Sequence, residues 1–173
     1  MFCVVQNIRQ INFGQLMEVY SESNHRKASE EYGYLDGGQG ILEAEQDHYA
    51  FLRDFFRFPG AFLALWAPDG KYKAALRVEP YADGFLVEGL ETAPDRRRQG
   101  YGTKLLRQTL DYLSEMRAGV VYSHIANDNG PSLRVHEACG FTKTADRAVF
   151  VDGSVDHRTF TYVYKIKRQG AVD

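Results

Sequence analysis

Between Ile41 and Arg117 the hydrophobic period of the chain changes twice, and no fold built from one kind of element accommodates that. From Ile41 to Phe58 the apolar residues Ile41, Leu42, Tyr49, Leu52, Phe55 and Phe56 sit at helical spacing, and Pro59-Gly60 ends the run. Ala61 to Trp66 is then continuously apolar, as a buried strand is. After a turn at Pro68-Asp69-Gly70, Tyr72, Ala74, Leu76 and Val78 alternate with Lys71, Lys73, Arg77 and Glu79, which predicts a strand with one wetter face. A second turn, Ala82-Asp83-Gly84, leads into a strand from Phe85 to Thr92. From Arg98 to Arg117 the helical period returns, with Tyr101, Leu105, Leu106, Thr109, Leu110 and Leu113 inside and Lys104, Arg107, Gln108, Asp111 and Glu115 outside.

The flanks extend the same alternation. The first eight residues read as a strand, with Phe2, Val4 and Val5 as its β-formers, and Asn12 with Gln15 three residues on opens a helix over 13–31, with a break near Ser23-Asn24. Gly33 to Gly40 holds four glycines and reads as a loop. Gly119 to Ile125 is a short strand. Asp128 or Asn129 caps a helix carrying Pro131, Ser132, Val135, His136 and Cys139. Gly140 suits the left-handed position after it, with Phe141 folding back. Two strands, around 142–151 and 154–167, close the chain about a turn at Asp152-Gly153. The order β-α-α-β-β-β-α-β-α-β-β is a mixed sheet with helices on it, of class α/β or α+β.

Composition narrows the function classes. The 173 residues suit a single domain over 1–173, and 44% hydrophobic with 25% charged residues is an ordinary soluble mixture. The longest apolar run, Ala61 to Ala67, is too short for a membrane span, and MFCVVQNIRQ shows no signal-peptide pattern. The net charge of −2 gives no drive toward nucleic acid despite Arg96 to Arg98. Cys3 and Cys139 cannot build a disulfide framework or a cysteine metal site. The expectation is a cytoplasmic protein without a metal, with no nucleic-acid or membrane partner, as monomer or homodimer.

The segment Thr92-Ala93-Pro94-Asp95-Arg96-Arg97-Arg98-Gln99-Gly100-Tyr101-Gly102-Thr103 lies between a strand and the strongest helix. Its glycines let a ligand approach the backbone, the helix start offers unpaired N–H groups, and three arginines add positive charge. That is either an anion cradle suited to a pyrophosphate or a basic turn ahead of a helix. It is neither the dinucleotide fingerprint, which needs a third glycine, nor a P-loop, which needs Gly-Lys-Ser/Thr.

Arg97-Arg98-Gln99-Gly100-Tyr101-Gly102 resembles the Arg/Gln-x-x-Gly-x-Gly/Ala motif of the GCN5-related N-acetyltransferase superfamily. Leu90-Glu91-Thr92-Ala93-Pro94 is similar to the family's strand running into that loop. Downstream, Asn129, Ser132, Gly140 and Phe141 match a second family element, but His136 stands where the family usually has tyrosine. The resemblance implies central strands that splay apart around acetyl-CoA, with pantetheine along Leu90, Glu91 and Thr92. It places the pyrophosphate on Arg98, Gln99, Gly100, Tyr101, Gly102 and Thr103, with Arg97 beside it and Asn129, Ser132 and His136 at the cofactor. Arg96 is either a phosphate contact or solvated.

The implied activity is acetyl transfer to a primary amine of a small molecule or peptide by direct attack with general acid and base help. The alternative is a non-catalytic sensor of acyl-CoA. His136 is the candidate acid for the leaving thiolate, or else a packing residue. Glu88 is the favoured base. Glu91, an odd number of residues away, is expected on the opposite strand face. His124 is a third candidate on the acceptor side. Residues 18–48 carry eight acids against two bases, which either draws a cationic amine, with Glu31 and Asp36 at the acceptor, or is a solvated face.

Overall fold

In the continuous apolar run 61–66 alternate residues serve two cores. Phe62 and Ala64 pack with Leu76, Val78, Val87, Leu105 and Leu106 on one side of a sheet, while Leu63 and Leu65 pack with Leu16, Val19, Leu52 and Phe55 on the other. The computed structural model describes residues 1–150 and 153–166. Its strands are β1 (Phe2–Val5), β2 (Phe62–Trp66), β3 (Ala74–Tyr81), β4 (Gly84–Thr92), β5 (Val120–Ala126), β6 (Thr142–Val149) and β7 (Val155–Lys165). Its helices are α1 (Phe13–Val19), α2 (Ser21–Glu31), α3 (Gly37–Phe55), α4 (Tyr101–Glu115) and α5 (Gly130–Ala138). The sheet order is β1-β2-β3-β4-β5-β7-β6. Only β4 and β5 run parallel among its described pairs, so the mixed α/β class expected from the sequence is the one observed.

Several local expectations shift for tertiary reasons. The N-terminal helix breaks at Tyr20, not near Ser23-Asn24. Tyr20 ends α1 and precedes α2, and its buried ring donates its hydroxyl proton to the Gly89 carbonyl across the molecule at 2.8 Å. The glycine-rich loop is shorter than expected because Asp36 accepts from the Gln39 amide at 2.9 Å and starts α3 at Gly37. Asn12 caps α1 as anticipated, but Gln15 does not reach back. Its carbonyl accepts from the Tyr72 amide instead.

The wetter face predicted for β3 is covered. Ala75 is fully buried, Arg77 lies 4.8 Å over the Phe51 ring of α3, and Glu79 is buried. At the C-terminal end, Gly140 has φ +91° and the Phe141 amide bonds the His136 carbonyl, the reversal expected there. The turn anticipated at Asp152-Gly153, and the strand ends placed at 151 and 167, involve positions outside the described residues.

Candidate functional site

Parallel pairing of β4 with β5 runs Phe85↔Val121, Leu86↔Tyr122, Val87↔Ser123 and stops there. Beyond it the strands part, and a cleft of about 910 Å³ opens between them, with Ser123, the last paired residue of β5, on its wall. The cleft runs to the loop ahead of α4 and to the first turn of α5, and its wall includes Leu90, Glu91, Thr92, Arg97 and Arg98.

A bulge sets which β4 side chains face this cleft. Ala75 pairs with Glu91 and Arg77 with Glu88, so Leu76 alone on β3 faces both Gly89 and Leu90 on β4. Gly89, at φ +59°, takes the left-handed turn that the extra residue needs. Glu88 and Glu91 therefore share one face, contrary to the parity expected from their odd separation. Both line the cleft. Glu88 pairs with Arg77 at 3.4 Å. Glu91 accepts a short hydrogen bond from Ser23 of α2, and burial raises its pKa above the usual carboxylate value.

His124 follows Ser123 on β5 and lines the cleft on that face. Its ring meets Tyr81 and Phe150 edge-on, both at 5.4 Å, and neither buried ring nitrogen has a hydrogen-bond partner among the described residues. Burial lowers its pKa, with the Glu88 carboxylate opposing, so it stands neutral with a lone pair available. Behind Glu88, buried Glu79 is pushed up by desolvation and then by the Glu88 charge. Of the acids on the cleft wall, Glu88 and Glu91 come from the sheet and Glu22 from α2.

The loop before α4 carries two left-handed residues, Arg98 (φ +60°) and Gly100 (φ +77°), and ends in a helix start that no side chain caps. Alternating backbone handedness next to unpaired helix amides forms a concave set of donors. The two glycines do different jobs. A Cβ on Gly100 would meet nothing within 4 Å, whereas one on Gly102 would press the Thr92 hydroxyl at 3.2 Å. Gly102 lets α4 sit close on β4, and Gly100 provides the turn. Arg97 is held by Glu22 of α2, an ion pair the sequence did not foretell.

At the α5 end, Asn129 caps the helix through the Ser132 amide at 3.2 Å. His136 is buried, 5.1 Å from the Phe141 ring. Its Nδ1 lies 2.8 Å from the Ser132 carbonyl, which can only accept, so Nδ1 carries the proton. Nε2 is then an acceptor, 3.0 Å from Ser123 Oγ. Burial lowers its pKa, opposed by the Ser132 carbonyl. The neutral ring thus offers the cleft a lone pair and no proton.

The structure brings Glu88, Leu90, Glu91, Thr92, Arg97, Arg98, Gly100, Tyr101, Gly102, Thr103, His124, Asn129, Ser132 and His136 to one cleft. Gln99, Glu31 and Asp36 are not on its wall. Glu31 pairs with Lys27 at 3.6 Å, and Asp36 caps α3. Sequence reasoning missed Ser123 and Ser23, and had Glu22 only among the eight acids of residues 18–48. Ser123 was detectable only as a polar residue in an apolar strand, and Ser23 carried no signal. Among the described residues no group of three or more His, Cys, Asp or Glu side chains could hold a metal ion. No helix among them is long and apolar enough to cross a membrane.

Residues 16–141 match the sequence model of the acetyltransferase (GNAT) family. The chain is 32% identical over 117 residues to aminoglycoside N(6')-acetyltransferase type 1 of Serratia marcescens, covering 61% of this chain and 78% of that one. It is 29% identical over 68 residues to streptothricin acetyltransferase of Streptomyces lavendulae, spanning 39% of this chain and only 36% of that relative. In fold it resembles the PaiA N-acetyltransferase of Thermoplasma acidophilum, solved with coenzyme A, at TM-score 0.66, 12% identity and coverage of 96% and 99%. It also resembles the ribosomal-protein-S18-alanine N-acetyltransferase of Escherichia coli, at TM-score 0.63, 15% identity and coverage of 99% and 98%.

Proposed function

Because the chain belongs to the acetyltransferase (GNAT) family, we propose that it transfers an acetyl group from acetyl-CoA to a primary amine. The observation that carries this is the wedge. β4 loses its parallel partner after Val87, and the gap leads to an uncapped helix start with left-handed Arg98 and Gly100. The free edge of β4 over Leu90, Glu91 and Thr92 suits an amide-bearing pantetheine. The amides of Gly100 to Thr103 suit its pyrophosphate. Arg98 adds charge there, as does Arg97 once it leaves Glu22.

The amine enters on the face that carries Glu88, Glu91 and His124. Glu88 takes a proton from the incoming ammonium, directly or through the lone pair of His124 beside it, and the neutral amine so formed attacks the thioester carbon. Arg77 and Glu79 fix the Glu88 carboxylate from behind. The carboxylates make this face suited to a cationic amine, and they do so without Glu31 or Asp36. On the opposite face, His136 and Ser123 form the polar wall at the thioester end.

Calorimetry with CoA and a free-thiol assay with acetyl-CoA test the reading. The panel contains an aminoglycoside, a streptothricin-type amine, a polyamine, free amino acids and an alanine-ended peptide. The expected result is thiol release that depends on one class of amine. Absence of CoA binding overturns the proposal. CoA binding without amine-dependent release replaces it with an acyl-CoA sensor.

A further inference from the structure

The Ser123–His136 pair is arranged for a chemistry that acetyl transfer by direct attack does not use. Ser123 is the last residue of β5 paired with β4, so its hydroxyl lies at the apex of the wedge. Its Oγ is 3.0 Å from Nε2 of His136, thirteen residues on and in a different element. The Ser132 carbonyl, 2.8 Å from Nδ1, fixes the tautomer and ring orientation, and Phe141 backs the ring at 5.1 Å. Nε2 can only accept, so the Ser123 hydroxyl donates to it. A hydroxyl that donates to an imidazole lone pair is made more nucleophilic and less able to give its proton to a leaving group. Nucleophile, base and a third group orienting the base are the three parts of an activated serine.

We infer that, when acetyl-CoA is bound without an amine, Ser123 accepts the acetyl group as an ester, with His136 as its base. This rests on the acetyl-CoA reading above and adds an acyl-enzyme, and hence acetyl-CoA hydrolysis, to it. Ser123 Oγ bonds to the thioester carbonyl carbon while its proton passes to His136 Nε2. The carbon–sulfur bond breaks, and the imidazolium returns the proton to sulfur, releasing CoA as the free thiol. Water then attacks the ester carbon and gives a proton to Nε2. That proton goes to Ser123 Oγ as the carbon–oxygen bond breaks, restoring the pair. The Ser132 carbonyl holds the Nδ1–H throughout, as the third group of such triads does. Backbone groups of β4 beyond Val87, left unpaired by β5, flank the same apex.

Neutral His136 is the required resting state, and its burial favours it. No other ionisable side chain is hydrogen-bonded to the ring among the described residues. Its partners are the Ser123 and Ser132 hydroxyls and one carbonyl.

The test incubates the full chain with acetyl-CoA and no amine, quenches in acid and measures intact mass, with peptide mapping and parallel free-thiol release. Acetyl-CoA binding is followed separately by calorimetry. The expected result is a protein heavier by one acetyl group at Ser123 and a burst of about one thiol per chain. Ser123→Ala should bind acetyl-CoA and form no adduct. His136→Phe should slow adduct formation by about 10²-fold or more. A parent that binds acetyl-CoA but carries no ester at Ser123 overturns the inference and leaves the transferase reading standing. So does an unchanged burst in a folded Ser123→Ala. A parent that does not bind acetyl-CoA overturns both.

Discussion

Replacing Gly89 with alanine tests the bulge on which the acceptor face depends. Gly89 sits at φ +59°, where an L-residue costs about 1–2 kcal/mol. A Cβ there would also lie 2.6 Å from the Arg77 Nη1 and 2.8 Å from its Cζ. The guanidinium must move, and it is tied at once to Glu88 at 3.4 Å and to the Phe51 ring at 4.8 Å. At about 2–4 °C per kcal/mol for a chain of this size, strain alone lowers Tm by roughly 2–8 °C. Displacing Arg77 releases Glu88, and an ångström of misplacement at a reacting group costs on the order of 10²-fold in kcat/KM for the amine. On the proposed reading CoA lies at the loop ahead of α4, so its affinity should change little. Gly89→Asn separates the two effects. Asparagine tolerates the left-handed region, so Tm recovers toward the parent, but it still carries a Cβ and the loss in kcat/KM persists. A Gly89→Ala protein with the parent's Tm and kcat/KM would refute the argument, because the bulge would then not need glycine and Arg77 would not hold Glu88.

Gly102→Val should weaken CoA binding, read by calorimetry, and lower Tm, because its side chain forces α4 off Thr92. Gly100→Ala, with open space around its Cβ, should cost only the left-handed strain of about 1–2 kcal/mol in stability. Asp36→Ala should lose about 1 kcal/mol of stability with the helix cap and leave the amine KM unchanged, and a raised KM would return Asp36 to the acceptor site. Burial lowers the His48 pKa from 6.5 to about 4, so the unfolded chain binds its proton first as pH falls. Its contribution is complete above about pH 6.5 and is lost toward pH 4, by about 3 kcal/mol in all. Glu91 and Glu79, raised by burial, act in the opposite sense, so His48→Leu should flatten the acid limb of denaturation midpoints measured between pH 7 and 4.

What this chain does locally was written in its residues. The change from helical to alternating period placed β2, β3, β4 and α4. Asn129 and Gly140 fixed both ends of α5, and the glycines between Arg97 and Thr103 marked the turn into α4, because φ preferences and helix-end amides act over a few residues. Periodicity could not supply what depends on pairing between distant segments. One extra residue of β4 against β3 reverses strand parity from Gly89 onward and puts Glu88 and Glu91 on one face, and a sequence read alone counts residues as though register were uniform. The break at Tyr20 is set by a hydrogen bond to Gly89, sixty-nine positions away. His136 read as a proton donor because its position matched a tyrosine. Whether an imidazole donates or accepts is decided by what faces each nitrogen, and only the packing of α5 on β5 set a carbonyl against one and the Ser123 hydroxyl against the other.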